Sequence, residues 1–95
     1  MKRNDSVPEW EEMCAVGCAV QNMALQASAL GIHGYWTSWQ VPARESAEMQ
    51  QLLGLDPFRG DKCLGFFVVG TADAERVVAY RPKRQPLADK VVWKL

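Results

Sequence analysis

The chain has 95 residues, enough for one small domain with a marginal core. Apolar residues make up 48% of it and four are Trp, which excludes an intrinsically disordered chain. Lys plus Arg equals Asp plus Glu, 11 each, so bulk charge draws it neither to nucleic acid nor to a membrane surface.

The charges are nonetheless segregated. Glu9, Glu11 and Glu12 crowd the start, and Arg76, Arg81, Lys83, Arg84, Lys90 and Lys94 lie near the end. The N-terminus is polar and has no apolar stretch of the kind a secretory leader needs. Three Cys is an odd number, so the thiols are read as reduced. Together these imply an intracellular, cytoplasmic protein, with an organelle left open.

In chain order, Ser6-Val7-Pro8-Glu9 reads as a helix start, with Ser6 as cap and Pro8 in the first turn. Gly31 is the stop, with Gly34 close behind. The helix between them spans about 23 to 25 residues, or roughly 35 Å. Met13, Val16, Val20, Met23, Ala27 and Leu30 recur at steps of three and four and make one apolar face. Cys14, Cys18, Leu25 and Ala29 cover much of a second. Polar Gln21, Asn22, Gln26 and Ser28 make it a poor membrane span and a good buried helix. A helix that is apolar nearly all round must be covered nearly all round, and the rest of the chain is too short to do it. The sequence therefore predicts a second subunit or a further polypeptide.

Residues 32–41 read as an aromatic-rich loop. Pro42 opens a second, shorter helix ending at Leu53 before Gly54. Asp56-Pro57 and Arg59-Gly60-Asp61 are turns. Cys63 to Gly70 is a continuous apolar run bounded by turns and predicts a central strand. Arg76 to Tyr80 is expected as a short extended piece. Arg81 to Pro86 is basic and Pro-punctuated, hence not helical. Leu87 to Trp93 fits either an edge strand or one helical turn followed by a strand. The fold class expected is α+β: long central helix, short helix, central strand and extended C-terminal arm.

Five segments in register carry a resemblance. They are Ala15-Val-Gly-Cys-Ala-Val-Gln-Asn-Met23 with Ala29-Leu-Gly31, Gly34-Tyr-Trp-Thr-Ser38, Leu52-Leu-Gly-Leu55, Leu64-Gly-Phe-Phe-Val-Val-Gly-Thr71, and Arg81-Pro-Lys-Arg-Gln-Pro-Leu87 before Val91-Val-Trp93. From about residue 10 onward the chain resembles the nitroreductase family, in particular its small bacterial type. The resemblance implies an α+β flavoprotein that binds FMN at a homodimer interface, the long helix packing on its twin. It implies NAD(P)H as co-substrate and two-electron reduction of a small-molecule acceptor such as a nitro compound or quinone. Family members also carry an N-terminal Arg-x-Ser-x-Arg-type segment that holds the FMN phosphate and ribityl chain. Arg3 is the only Arg before position 44, and nothing like that motif surrounds it. Residues 1–95 are therefore expected to be a partial domain, the C-terminal half. The partner is then a second copy or a missing N-terminal polypeptide. The alternative to an active enzyme is a truncated, inactive fragment, or a flavin-binding or partner module without turnover.

By the resemblance, Trp36, Thr37 and Ser38 form the loop over the flavin ring. Backbone N–H groups and hydroxyls there would donate to ring atoms that gain negative charge on reduction. Lys83 and Arg84 match the family's phosphate-pairing basic residues, with Arg84 favoured and Arg81 in reserve; some members carry a Lys where Pro82 stands. A guanidinium grips phosphate with two parallel hydrogen bonds. The plain reading of each is an ordinary loop and a solvated basic tail. Ala27 to Ile32, which some members use near the nicotinamide, reads as a plain helix terminus. No side chain is expected to act as catalytic acid or base. Cys14, Cys18, Cys63 and His33 lack the spacing of a zinc site, so no metal is expected and the three Cys are read as small core residues.

Overall fold

The structure, a computed structural model, describes residues 1–94; Leu95, the last residue of the expected domain, lies outside the described residues. It is α+β, with four helices and a two-stranded sheet. The order is α1 (Glu9–Ala29), β1 (His33–Thr37), α2 (Val41–Arg44), α3 (Ala47–Leu53), β2 (Phe66–Gly70) and α4 (Ala74–Ala79). Single 3-10 turns lie at Pro57–Arg59 and Leu87–Asp89.

The end of α1 falls where Gly31 places it. Gly31 has a φ of +73°, and its N–H donates to Ser28 O at 3.0 Å while Ile32 N–H donates to Ala27 O at 2.9 Å. That pair of bonds is the Schellman closure, which a glycine in the left-handed region permits. Gly54 closes α3 the same way, with φ +59°, Gly54 N–H on Gln51 O and Leu55 N–H on Gln50 O. The start of α1 differs from expectation. Pro8, not Ser6, occupies the cap position, and no side chain caps the helix. Ser6 N–H instead donates to Asn4 Oδ1. Glu9, Glu11 and Glu12 supply the negative charge that suits a helix N-terminus.

Three further elements depart from the sequence-based expectation. Residues 33–37 are a strand rather than a loop. β1 pairs antiparallel with β2, His33 opposite Gly70 and Thr37 opposite Phe66. Tyr35, Trp36 and Thr37 suit a pleated surface once a partner strand is present. Gly34 is required there: a Cβ would lie 2.4 Å from the Val68 carbonyl oxygen. The helix expected from Pro42 to Leu53 is two helices. Ser46 is extended, with ψ 150°, and its hydroxyl accepts from Met49 N–H at 3.1 Å, so it caps a new helix rather than continuing the old one. Residues 74–79 are helical, where an extended piece was expected. Asp73 Oδ1 accepts from the N–H groups of Glu75 and Arg76 and nucleates the turn. The helix stops at Ala79, and Tyr80 is extended with ψ 128°, before Arg81, which Pro82 bars from helical geometry. Beyond it, Leu87–Asp89 forms the helical turn, and no strand follows among the described residues. Among the described residues β2 therefore has one partner, not two, and both sheet edges are open.

The covered face of α1 is narrow. Glu9, Glu12, Val16, Val20, Ala24 and Ala27 are half-buried, and the rest of the helix is exposed. Met13, Met23 and Leu30, expected on the inner face, lie outside it. Cys14 and Cys18 are exposed and Cys63 half-buried, so the expectation of three core cysteines fails. No described residue is fully buried. The accessible surface is 8229 Å², against roughly 5,500 Å² for a compact monomer of this mass. The radius of gyration is 17.1 Å, where about 12 Å is usual for this length. A two-stranded sheet and one helix face do not make a self-sufficient core.

Candidate functional site

Charged contacts fix segment 61–63, and through it β2, against the start of α1. Met1 and Lys62 exchange backbone hydrogen bonds, at 2.8 Å and 3.0 Å. Arg3 N–H donates to Asp61 Oδ1 at 2.7 Å, and the Arg3 guanidinium pairs with Glu12. Lys62 pairs with Glu9. The hydrogen bond from Lys62 holds the Glu9 carboxyl below its ordinary range. Backbone N–H groups of Asp56 and Arg3 do the same for Asp61. Arg44 adds a second tie, its Nη1 donating to Cys63 O at 3.0 Å. The sequence reads Arg44 as water-facing and Asp61 as turn material; the structure half-buries both, because Cys63 and Arg3, far away along the chain, meet them.

This framework sets Trp36, Thr37 and Ser38 at the end of β1. The Trp36 indole lines a small cleft of about 170 Å³ with Val16 and Val20 of α1 and with Leu64, Gly65 and Phe66. Gly65 makes this possible. Its φ is +153°, and a Cβ there would fall 2.2 Å from Trp36 Nε1 and 2.7 Å from the Thr37 carbonyl oxygen. Trp36 thus anchors the strand end while remaining 36% exposed. Thr37 Oγ1 accepts from Trp39 N–H at 3.5 Å, a long bond that shapes the turn. The Ser38 hydroxyl is exposed, and Trp39 is 89% exposed beside it. The turn therefore offers one hydroxyl in water next to two indoles.

Lys83 and Arg84 lie in the exposed segment after α4. Among the described residues neither forms an ion pair, and no hydrogen bond joins them to Trp36–Ser38. Arg81, held in reserve as a phosphate ligand, is committed elsewhere: its guanidinium donates to the carbonyls of Val78 and Tyr80 at the end of α4. Among the described residues Lys83 and Arg84 keep free donors, as Lys90 and Lys94 further along the tail also do. The structure brings the three turn residues together and leaves the two cations apart from them. Among the described residues, no three His, Cys, Asp or Glu side chains converge in a metal-binding group. No described helix is long and apolar enough to cross a membrane.

The profile described as "Nitroreductase family" matches residues 1–71, three quarters of the chain. The chain belongs to the nitroreductase family. Two curated relatives agree with this assignment. One is the protein named "Putative NAD(P)H nitroreductase YdjA" of Escherichia coli strain K12, 36% identical over 70 residues. The other is the protein of the same name in Escherichia coli O157:H7, with the same identity. The match covers 74% of this chain but 36% of each relative, so the chain spans about a third of their length. The nitroreductase match contains α1, both strands and the Trp36–Ser38 turn. Lys83 and Arg84 fall beyond residue 71 and outside it.

Proposed function

We propose that this chain supplies the ring-contacting part of an FMN- and NAD(P)H-dependent oxidoreductase, which reduces nitro, quinone or similar acceptors by two electrons. The reading rests on family membership together with the turn at Trp36–Ser38. That turn is fixed by Gly65 and the β1–β2 register, yet its Ser38 hydroxyl is left free to donate. The donor set suits the two ends of the cofactor: hydroxyl and backbone donors for the ring, and the free cations Lys83 and Arg84 for the phosphate. FMN, when bound, supplies the two-electron chemistry. Trp36 would wall one side of the ring site and exclude water, Ser38 and Thr37 would donate to the ring's polar edge, and Arg84 would pair with phosphate. No side chain here is assigned a proton-transfer role.

The excess of accessible surface supports a site completed by another chain, either a second copy or an additional polypeptide. About 2,700 Å² beyond a compact monomer's surface is more than the roughly 1,000–2,500 Å² each subunit contributes to most obligate interfaces. The open surface of α1, where Ala15, Gly17, Ala19 and Ala29 are exposed, is where such a chain would seat. The rival reading is a fragment or flavin-binding module without turnover. It draws on the same exposure and on the third of the relatives' length that is spanned.

The visible spectrum of the purified chain, followed by titration with FMN and an NAD(P)H–quinone assay, separates the two. Flavin absorption with turnover supports the enzyme. A colourless protein that gains neither on addition of FMN supports the module or fragment.

A further inference from the structure

A second concavity lies at the opposite end of β1. It is an open cleft of about 400 Å³ between the last turns of α1, the first residues of β1, and α4. Gly34 is the last strand residue of the cleft and Trp36 the first of the turn, so roughly 7 Å of strand separates this cleft from the Trp36–Ser38 turn.

Its chemistry differs from that of the turn. Ile32 and Val77 contribute apolar surface, while Ser28, His33, Arg76 and Tyr80 bring polar groups from three separate elements. Among the described residues no carboxylate lines it. The Arg76 guanidinium has neither ion pair nor hydrogen bond among them; its backbone N–H donates to Asp73 and its carbonyl accepts from Tyr80 N–H. Glu75, next to Arg76 in sequence, neither lines the cleft nor pairs with it among the described residues, and Asp73 is turned to capping α4. An apolar wall with a few convergent polar groups is the usual composition of a small-molecule site. A lone cation on its rim selects an anion, and the guanidinium fork fits a carboxylate. A volume near the lower end of the range for ligand sites suits one ring, not a dinucleotide.

We propose that this cleft binds a small aromatic monocarboxylate, with its carboxylate on Arg76 and its ring against Ile32, Val77 and Tyr80. The Ser28 hydroxyl and one His33 nitrogen are the remaining donors. The site shares no residue with the proposed flavin contacts Trp36, Thr37, Ser38, Lys83 and Arg84, although Ser28 and Ile32 belong to the helix end that some family members use near the nicotinamide.

The test is a titration of the purified chain with benzoate, followed by the amide resonances of Gly34, Ala72 and Val77, with benzamide as the neutral analogue. Saturable shifts at these amides are expected for benzoate and much weaker ones for benzamide. Arg76→Gln should weaken benzoate binding at least about tenfold, as loss of a charged hydrogen-bonded pair does. Tyr80→Phe should change it only a few-fold, and Lys90→Gln should leave it unchanged. Absence of saturation up to roughly 10 mM would overturn the proposal. So would equal affinity for benzamide, equal affinity in Arg76→Gln, or a loss in Lys90→Gln as large as in Arg76→Gln. No flavin enters the readout, so failure here leaves the oxidoreductase reading to be judged on its own assay.

Discussion

Replacing Gly65 by alanine introduces a single methyl group at the point where β2 begins. That methyl would sit 2.2 Å from Trp36 Nε1 and 2.7 Å from the Thr37 carbonyl oxygen. The indole could swing away, but the carbonyl belongs to the ladder between Thr37 and Phe66 and cannot move without breaking it. The backbone adds a second penalty, since φ at +153° lies in a region open to glycine and costs other residues about 1–3 kcal/mol. With the overlap included, a loss of roughly 2–4 kcal/mol is expected. A domain of this length has only about 5–14 kcal/mol in total, so the change should be plain in urea unfolding. The Trp36 indole N–H resonance should move, and FMN affinity should fall with it. Gly70→Ala is the matched control, since a Cβ at Gly70, the other end of β2, meets nothing within 4 Å and its φ is not in the region reserved for glycine. A Gly65→Ala protein with unchanged unfolding midpoint and unchanged indole resonance would refute the account of how the Trp36 turn is positioned.

Arg84→Ala should weaken FMN binding in any complete form of the protein by about ten- to a hundredfold, and Lys90→Ala should not; equal dissociation constants for the two variants would remove Arg84 from the site. Acid should loosen the tie between segment 61–63 and α1. The folded-state carboxyls of Glu9 and Asp61 titrate below their ordinary values of 4.5 and 3.8. Their contribution is thus complete above those values and is lost as pH falls through the lower, folded ones. The stability advantage of the native chain over Asp61→Asn should therefore vanish in strong acid, as read by urea midpoints across pH; an advantage that persists there would contradict the assigned hydrogen bonds.

What could be read from the residues alone follows the range of the interactions involved. Gly31 and Gly54 end their helices where the sequence places them, because a Schellman closure is complete within six residues. The apolar run before Gly70 becomes β2 for a similarly local reason. β1 was not legible. His33 to Thr37 is a strand because Phe66 to Gly70 lies beside it, a pairing some 30 residues away. The Val77-Val78 pair suggests extension, yet the cap from Asp73 four residues earlier decides for helix. The two apolar stripes of α1 were legible. Which stripe this chain covers was not. Glu9 and Glu12 lie on the covered side because Lys62 and Arg3 meet them there, and only Arg3 is near in sequence. At the candidate site, Trp36–Ser38 was found by family resemblance, while Gly65, which holds Trp36, shows its role only through space. Lys83 and Arg84 stay apart from the turn because no described contact folds the tail back onto it.

The central claim is that this chain does not complete its own core and seats another polypeptide on α1. Sedimentation equilibrium of the purified chain over a wide concentration range tests it most directly. The account predicts association, with a mass above 10.7 kDa that rises with concentration, because α1 and its C-cap leave Trp10, Met13, Met23, Leu25 and Leu30 exposed and large exposed apolar patches mark association surfaces. A well-folded monomer of constant mass at every concentration would contradict it.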